Sequence, residues 1–185
     1  MGKKVYFMEE LQEAYDASNG EWQFHQMTFE FPGVTEEMFI WFHTNLDDDL
    51  YRMWCPGAHR SYRKMTYQGV HGEVVEEATV PGYEPDRIIL RHPPIEKTLF
   101  VGMPEVSPEH YNCTEAIDLE GRTPVNILHE RFPYPDKLVI RNSIFLPKAL
   151  SPDKTAGFLS HQKAEYRFHE FLPEIYRKRT WMVAN

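Results

Sequence analysis

Three residues near the C-terminal end, His161, Glu165 and His169, follow one another at intervals of four. On a helix that spacing projects all three from roughly one face, with neighbouring Cβ atoms about 5–6 Å apart, a separation at which two side chains share a cation. The same pattern also arises as a solvated His–Glu pair, so the fragment alone leaves both readings open. A second candidate lies in LYRMWCPGAHRSY, residues 50–62, where His59 follows a Pro-Gly bend and is flanked by Tyr51 and Tyr62. It reads either as a ligand or as a core histidine bound to a backbone carbonyl. The third is Glu76-Glu77 inside the apolar run GEVVEEATV. Adjacent strand residues point to opposite faces, so one of these carboxylates faces inward and needs a partner, for which a cation would serve. Imidazoles and carboxylates together are the donor set of a divalent metal site.

The composition restricts what such a site could serve. The chain has 185 residues with 20 Lys+Arg against 28 Asp+Glu, a formal net charge of −8. One domain fits that length, and no spare positive field is available for nucleic acid or an anionic membrane surface. The short basic cluster Arg177-Lys178-Arg179 does not alter this. Cys55 and Cys113 lack CxxC spacing and build no disulfide framework, which favours a reduced chain, although one bridge remains open. The opening MGKKVYFMEELQEAYD carries charges throughout and resembles no secretory leader, and no run approaches the roughly 20 apolar residues of a membrane helix. A cytoplasmic protein is the expectation. Aromatic residues make up 14%, and there are nine histidines. The rings furnish either an ordinary aromatic core or the walls of a pocket holding a few placed polar groups.

The elements that must carry these residues follow from the patterning. Residues 5–15 suit a short amphipathic helix ended by Asn19-Gly20. Residues 22–31 alternate as a strand, with Gln23, His25, Met27, Phe29 and Phe31 on one face. Pro32-Gly33 breaks it, and Thr35 caps a helix through Met38–Asn45 in which Phe39, Phe42 and His43 share a face. Residues 73–80 and 86–92 read as strands joined around Pro81-Gly82. Further strands are expected at 95–101, 111–118, 124–131 and 137–146. The segment 152–176 reads as a helix, with Leu159, Ala164, Phe168, Phe171, Leu172 and Ile175 as its apolar stripe and Pro173 kinking or ending it. The sum is an α+β domain in which a long helix lies across a curved antiparallel sheet. A single domain over 1–185 is expected, with 1–20 as an N-terminal extension.

Four stretches resemble the diacetylphloroglucinol hydrolase and phloretin hydrolase family: FPGVTEEMFIWFH (31–43), YRMWCPGAH (51–59), VVEEATV (74–80) and HQKAEYRFHEFLPEIY (161–176). The resemblance implies a Bet v1-like (START-like) helix-grip fold with a cavity between sheet and helix. It also implies a zinc-dependent enzyme that hydrolyses the C–C bond joining an acyl group to a phenolic ring. Carried over by position, the family's zinc ligands fall on His59, Glu77, His161 and Glu165. Glu77 is preferred from a Val-x-Glu pattern that Glu76 also fits, and Thr79-Val80-Pro81-Gly82 replaces the family's Gly-Gly turn. The family's tyrosine eight residues before the first histidine is Tyr51, which would hydrogen-bond a phenolic or acyl oxygen. Glu165, or the other carboxylate, would also shuttle a proton in this reading. Much of the N-terminal extension of longer members is absent, so the substrate entrance is expected to differ.

From the residues themselves, Tyr62 and His43 join Tyr51 as expected cavity groups that contact substrate. His169 is expected beside the ligands or at the surface, and Cys113 in the core. His25, His71, His92, His110 and His129 receive no role. The expected partner is a small aromatic or polyketide-like substrate, with a homodimer left open. Two other functions compete with the hydrolase: a carrier of hydrophobic aromatic ligands on the same fold, and a metal-dependent isomerase or decarboxylase of a cyclic ketone.

Overall fold

A computed structural model describes residues 5–118 and 120–183, with side chains described through residue 179. The elements run α1 (Phe7–Ala17), β1 (Trp22–Pro32), α2 (Glu36–Thr44), α3 (Asp48–Trp54), β2 (His59–Tyr67), β3 (Val70–Glu77), β4 (Asp86–Arg91), β5 (Tyr111–Ile117), β6 (Val125–Pro133), β7 (Lys137–Pro147), α4 (Pro152–Arg167) and α5 (Leu172–Val183). The seven strands form one antiparallel sheet in the order β1-β7-β6-β5-β4-β3-β2. The first strand therefore pairs with the last along its whole length, from Trp22 opposite Pro147 to Pro32 opposite Lys137. The predicted alternation in β1 holds: Phe31 is buried and Met27 and Phe29 pack against the core, while Phe24, Gln26, Thr28 and Glu30 are exposed.

The elements built around the site have local causes. Thr35 caps α2 by accepting from the Met38 amide at 3.2 Å, as the sequence predicts. Asp47 does the same for α3 through the Leu50 amide at 2.8 Å. Helix α1 has no cap of its own; the buried Asp86 carboxylate accepts from the Phe7 and Met8 amides at 2.9 and 3.1 Å, 78 and more residues away in sequence. With Phe7 and Leu11 in the main core, residues 7–17 are part of the domain rather than an appendage, while residues 1–4 of the expected extension lie outside the described residues.

Three expectations need correction. Residues 95–101 form no strand: Pro93-Pro94 lead into a 3₁₀ turn at Ile95–Lys97, and this segment packs Phe100 onto Cys113 and Leu128 on the far side of the sheet. Residues 48–54 and 59–67 form a helix and a strand that the patterning did not announce, because β2 is an edge strand with a mostly polar outer face. The last helix is two helices. A 3₁₀ turn, Phe168–Phe171, separates α4 from α5, and Pro173 sits at the second position of α5, where its missing N–H costs nothing. The stripe also differs, since Ala164 and Phe171 are exposed. The buried face of α4 is Phe158, His161, Gln162, Glu165 and Tyr166, mostly polar. Gly157 lies one turn before His161, and a Cβ there would meet Val80 Cγ1 at 2.8 Å, so its absence lets α4 approach the β3–β4 turn.

Candidate metal centre

Sheet register delivers the first two residues of the site. His59 opens β2 and stands directly opposite Glu77 at the end of β3, with a bulge at Arg60 before regular pairing resumes at Ser61–Glu76. Helix α4 brings the other two, His161 and Glu165. One donor atom from each of His59, Glu77, His161 and Glu165 lies within 4.8 Å of all the others. Glu77 and not Glu76 is the inward carboxylate; Glu76 lies across from Ser61 Oγ at 3.5 Å.

The imidazole of His59 is oriented from behind. Its Nδ1 meets the Tyr51 carbonyl at 2.9 Å, and a carbonyl only accepts, so Nδ1 carries the proton. Nε2 faces the centre, 3.0 Å from Glu165 Oε1 and 3.6 Å from Glu77 Oε2; it donates to Glu165 when the ring is doubly protonated, and in the Nδ1–H tautomer it offers a lone pair to a cation instead. The Tyr51 ring stacks on the imidazole at 3.9 Å, and the Tyr51 hydroxyl donates to Glu77 Oε2. Glu165 is pinned by Gln162 Nε2 at 2.6 Å, and its backbone carbonyl accepts from the Trp54 indole at 2.8 Å. Thr79 Oγ1 lies 3.2 Å from Glu77 Oε1. Each ligand candidate except His161 thus has an outer partner holding its orientation.

His161 Nε2 has none. It is buried without a hydrogen bond, 3.7 Å from Glu77 Oε1 and 3.6 Å from Glu165 Oε1. A buried polar atom pointing at two carboxylates and bonded to neither fits a cation between them. Two imidazole nitrogens and two carboxylates also form a donor set suited to zinc. Without an ion, the cluster balances its own charge. Burial alone would lower the His161 pKa, but the Glu165 and Glu77 charges raise it to about 9. Burial would raise the Glu165 carboxyl, yet His161 and His59 hold it well below the usual carboxylate range. The two carboxylates thus draw positive charge to this spot, which protonated His161 supplies without an ion and a divalent ion would supply in its place.

The centre opens into a cavity of about 510 Å³ between sheet and helices. Val75, Ile88 and Phe158 supply apolar wall, and Tyr51, Tyr62 and His43, the three expected contact residues, all line it. The Tyr62 hydroxyl stands 3.4 Å from Glu73 Oε1. Burial and then the Glu77 charge push the Tyr51 hydroxyl far above its ordinary pKa, which keeps it a proton donor. Glu165 stays ionised, a state that suits a ligand better than a carrier of protons.

His169 does not join the cluster. The 3₁₀ turn rotates it off the face of His161 and Glu165, and it is completely buried against Phe31, Phe39 and Tyr166. Patterning assigned no role to His71, His92 and His129, yet all three reach the cavity wall. His92 pairs with Glu73 at 2.6 Å, and His129 meets the Tyr166 hydroxyl at 2.8 Å. Strand alternation from Glu77 back through Val75 to Glu73 is the signal that would have found the Glu73–His92 pair. Both cysteines are free thiols, Cys113 in the core and Cys55 half-buried.

No protein-family model and no curated protein matches the chain. Solved structures do. The crystal structure of the Zhui aromatase/cyclase from Streptomyces sp. R1128 superposes with a TM-score of 0.57 at 11% identity, over 85% of this chain and 96% of that one. Truncated norcoclaurine synthase from Thalictrum flavum gives 0.52 at 14%, over 82% and 94%. Ara h 8.0201 gives 0.52 at 12%, over 82% and 99%. The chain has the Bet v1-like helix-grip fold. At these identities the likeness is one of fold, and in this chain Glu77 and Glu165 of the four ligand candidates line the hollow between sheet and helices.

Proposed function

We propose that this chain is a zinc-dependent hydrolase that cleaves the C–C bond between an acyl group and a phenolic, phloroglucinol-like ring. The observation that carries the reading is the convergence of His59, Glu77, His161 and Glu165, with His161 Nε2 left unbonded, at the wall of an aromatic-lined cavity. The motif resemblance described above adds the reaction class. The structural neighbours, an aromatase/cyclase and a norcoclaurine synthase by name, agree with a small aromatic or polyketide-like ligand.

His59, Glu77, His161 and Glu165 would hold the ion, and a zinc ion there acts as a Lewis acid toward a carbonyl oxygen. The remaining chemistry belongs to the chain. In the overall reaction the bond between acyl carbon and ring carbon breaks, water's hydroxyl ends on the acyl carbon, and its proton ends on the ring carbon. The ring departs as a carbanion equivalent, which is accessible when a ring phenol has shifted to its keto form. Tyr51, held protonated and placed against Glu77, donates to an oxygen on which negative charge develops. Val75, Ile88 and Phe158 exclude bulk water and take the ring's faces.

A carrier on the same scaffold is the competing reading. One observation favours it: without an ion, His161 and Glu165 already compensate each other's charge. Metal analysis of the purified protein separates the two. The hydrolase requires about one zinc per chain and release of phloroglucinol and a carboxylic acid from an acylphloroglucinol. Metal-free protein that binds the acylphloroglucinol without turnover would establish the carrier instead.

A further inference from the structure

Across the Trp54 ring from His59 stands a second imidazole arrangement. Trp54 packs edge-on against both His59 and His43, each with centroids at 5.4 Å. His43 in turn faces His169, their rings nearly parallel, with the two Nε2 atoms 3.4 Å apart. Rings surround the pair: Phe39 lies 4.3 Å from His43 and 5.1 Å from His169, and Phe42 lies edge-on to both.

The proton positions follow from what each partner can do. His169 Nδ1 lies 3.2 Å from the Tyr166 carbonyl, which only accepts, so Nδ1 carries the hydrogen. In a neutral ring the Nε2 of His169 is then a bare lone pair, and the contact with His43 forms only if His43 Nε2 donates. Neutral His43 consequently has a bare Nδ1. Burial keeps both rings neutral, lowering His169 to about pKa 4 and His43 well below its ordinary value. Among the described residues His43 Nδ1 meets no hydrogen-bond partner, and the His43 ring lines the cavity.

We propose that the Tyr166 carbonyl, His169 and His43 form a fixed chain of tautomers that presents His43 Nδ1 to the cavity as an obligate acceptor, selecting ligands that place a hydroxyl donor one tryptophan ring away from the metal centre. His43 is the residue that touches ligand; His169 is a positioning residue. Donor and methyl ether differ sharply at such an acceptor, because an ether oxygen meeting a lone pair leaves both unpaired. The inference rests on the proposed function only in taking the cavity as a ligand site, and it stands whether or not the ligand is turned over.

The test has two arms. In the protein labelled with ¹⁵N-histidine at pH 7, long-range ¹H–¹⁵N spectra should show His169 as the less common Nδ1–H tautomer and His43 as Nε2–H. A protonated ring, or the opposite tautomer at either residue, overturns the chain. Calorimetry with 4-hydroxyacetophenone and 4-methoxyacetophenone should show the phenol bound about tenfold more tightly. His43→Phe should abolish that preference, and His43→Gln, which keeps an acceptor oxygen, should retain part of it. His169→Phe should reduce the preference while the methyl ether binds as before. An undiminished preference in His43→Phe overturns the inference. Zinc stoichiometry on the same samples judges the metal reading separately.

Discussion

Tyr51 serves the candidate centre twice, its carbonyl fixing the His59 tautomer and its hydroxyl holding Glu77. The two functions separate experimentally because a side-chain change leaves the carbonyl in place. Tyr51→Phe is expected to retain zinc while turnover of an acylphloroglucinol falls about a hundredfold, the usual loss for one donor to developing charge; steady-state kinetics beside metal analysis checks both. His161→Ala and His59→Ala remove donor atoms instead. Each is expected to weaken zinc binding by about a hundredfold or more and to abolish the zinc-dependent rise in melting temperature. Full zinc content in both variants would place the ion elsewhere. At this scale the sequence was informative about identities and poor about surroundings. Spacing singled out His161 and Glu165 as one pair, but an i+8 extrapolation to His169 assumed an unbroken helix. The roles of Trp54, Gln162 and Glu73 depend on contacts between distant segments that no local pattern encodes.

At the level of elements, α4 departs from the usual amphipathic rule. Its inward face carries His161, Gln162, Glu165 and Tyr166, so a search for an apolar stripe selects Ala164 and Phe171, which face water. The strands were easier to read. β1 alternates cleanly between core and solvent, whereas β2, at the opposite edge, gave no comparable signal. Gly157 converts this architecture into a prediction. It shares the face of His161 and Glu165, and a methyl group there would press on the stiff Val80 side chain. Gly157→Ala should therefore displace α4 by tenths of an ångström. The expected outcome is weaker zinc binding by about tenfold and destabilisation of about 1–3 kcal/mol despite the better helix propensity of Ala, measured by chelator competition and urea unfolding.

For the whole molecule, the buried histidines set a pH dependence. His129 and His169 are each lowered to about pKa 4 by burial, so they bind fewer protons folded than unfolded. Their contribution is complete above about pH 6.5 and is lost as pH falls toward 4, up to about 3 kcal/mol for each. In the metal-free protein His161, raised to about 9, acts in the opposite sense: its contribution is complete below 6.5 and is lost as pH rises through 9. Urea unfolding of chelated protein between pH 4 and 9.5 should show stability declining on both sides of a maximum near pH 6.5, and saturating zinc should flatten the alkaline side. Among the described residues no helix is long and apolar enough to cross a membrane. The pairing of β1 with β7 has a further consequence for biosynthesis. While the ribosome is still adding residues 33–136, Met27, Phe29 and Phe31 have no strand to pair beside, and His59 and Glu77 wait for partners encoded after both. A nascent chain halted before β7 would expose a sticky edge to chaperones: β2 to β6 can pair with their sequence neighbours as they emerge, but β1 is left waiting for β7.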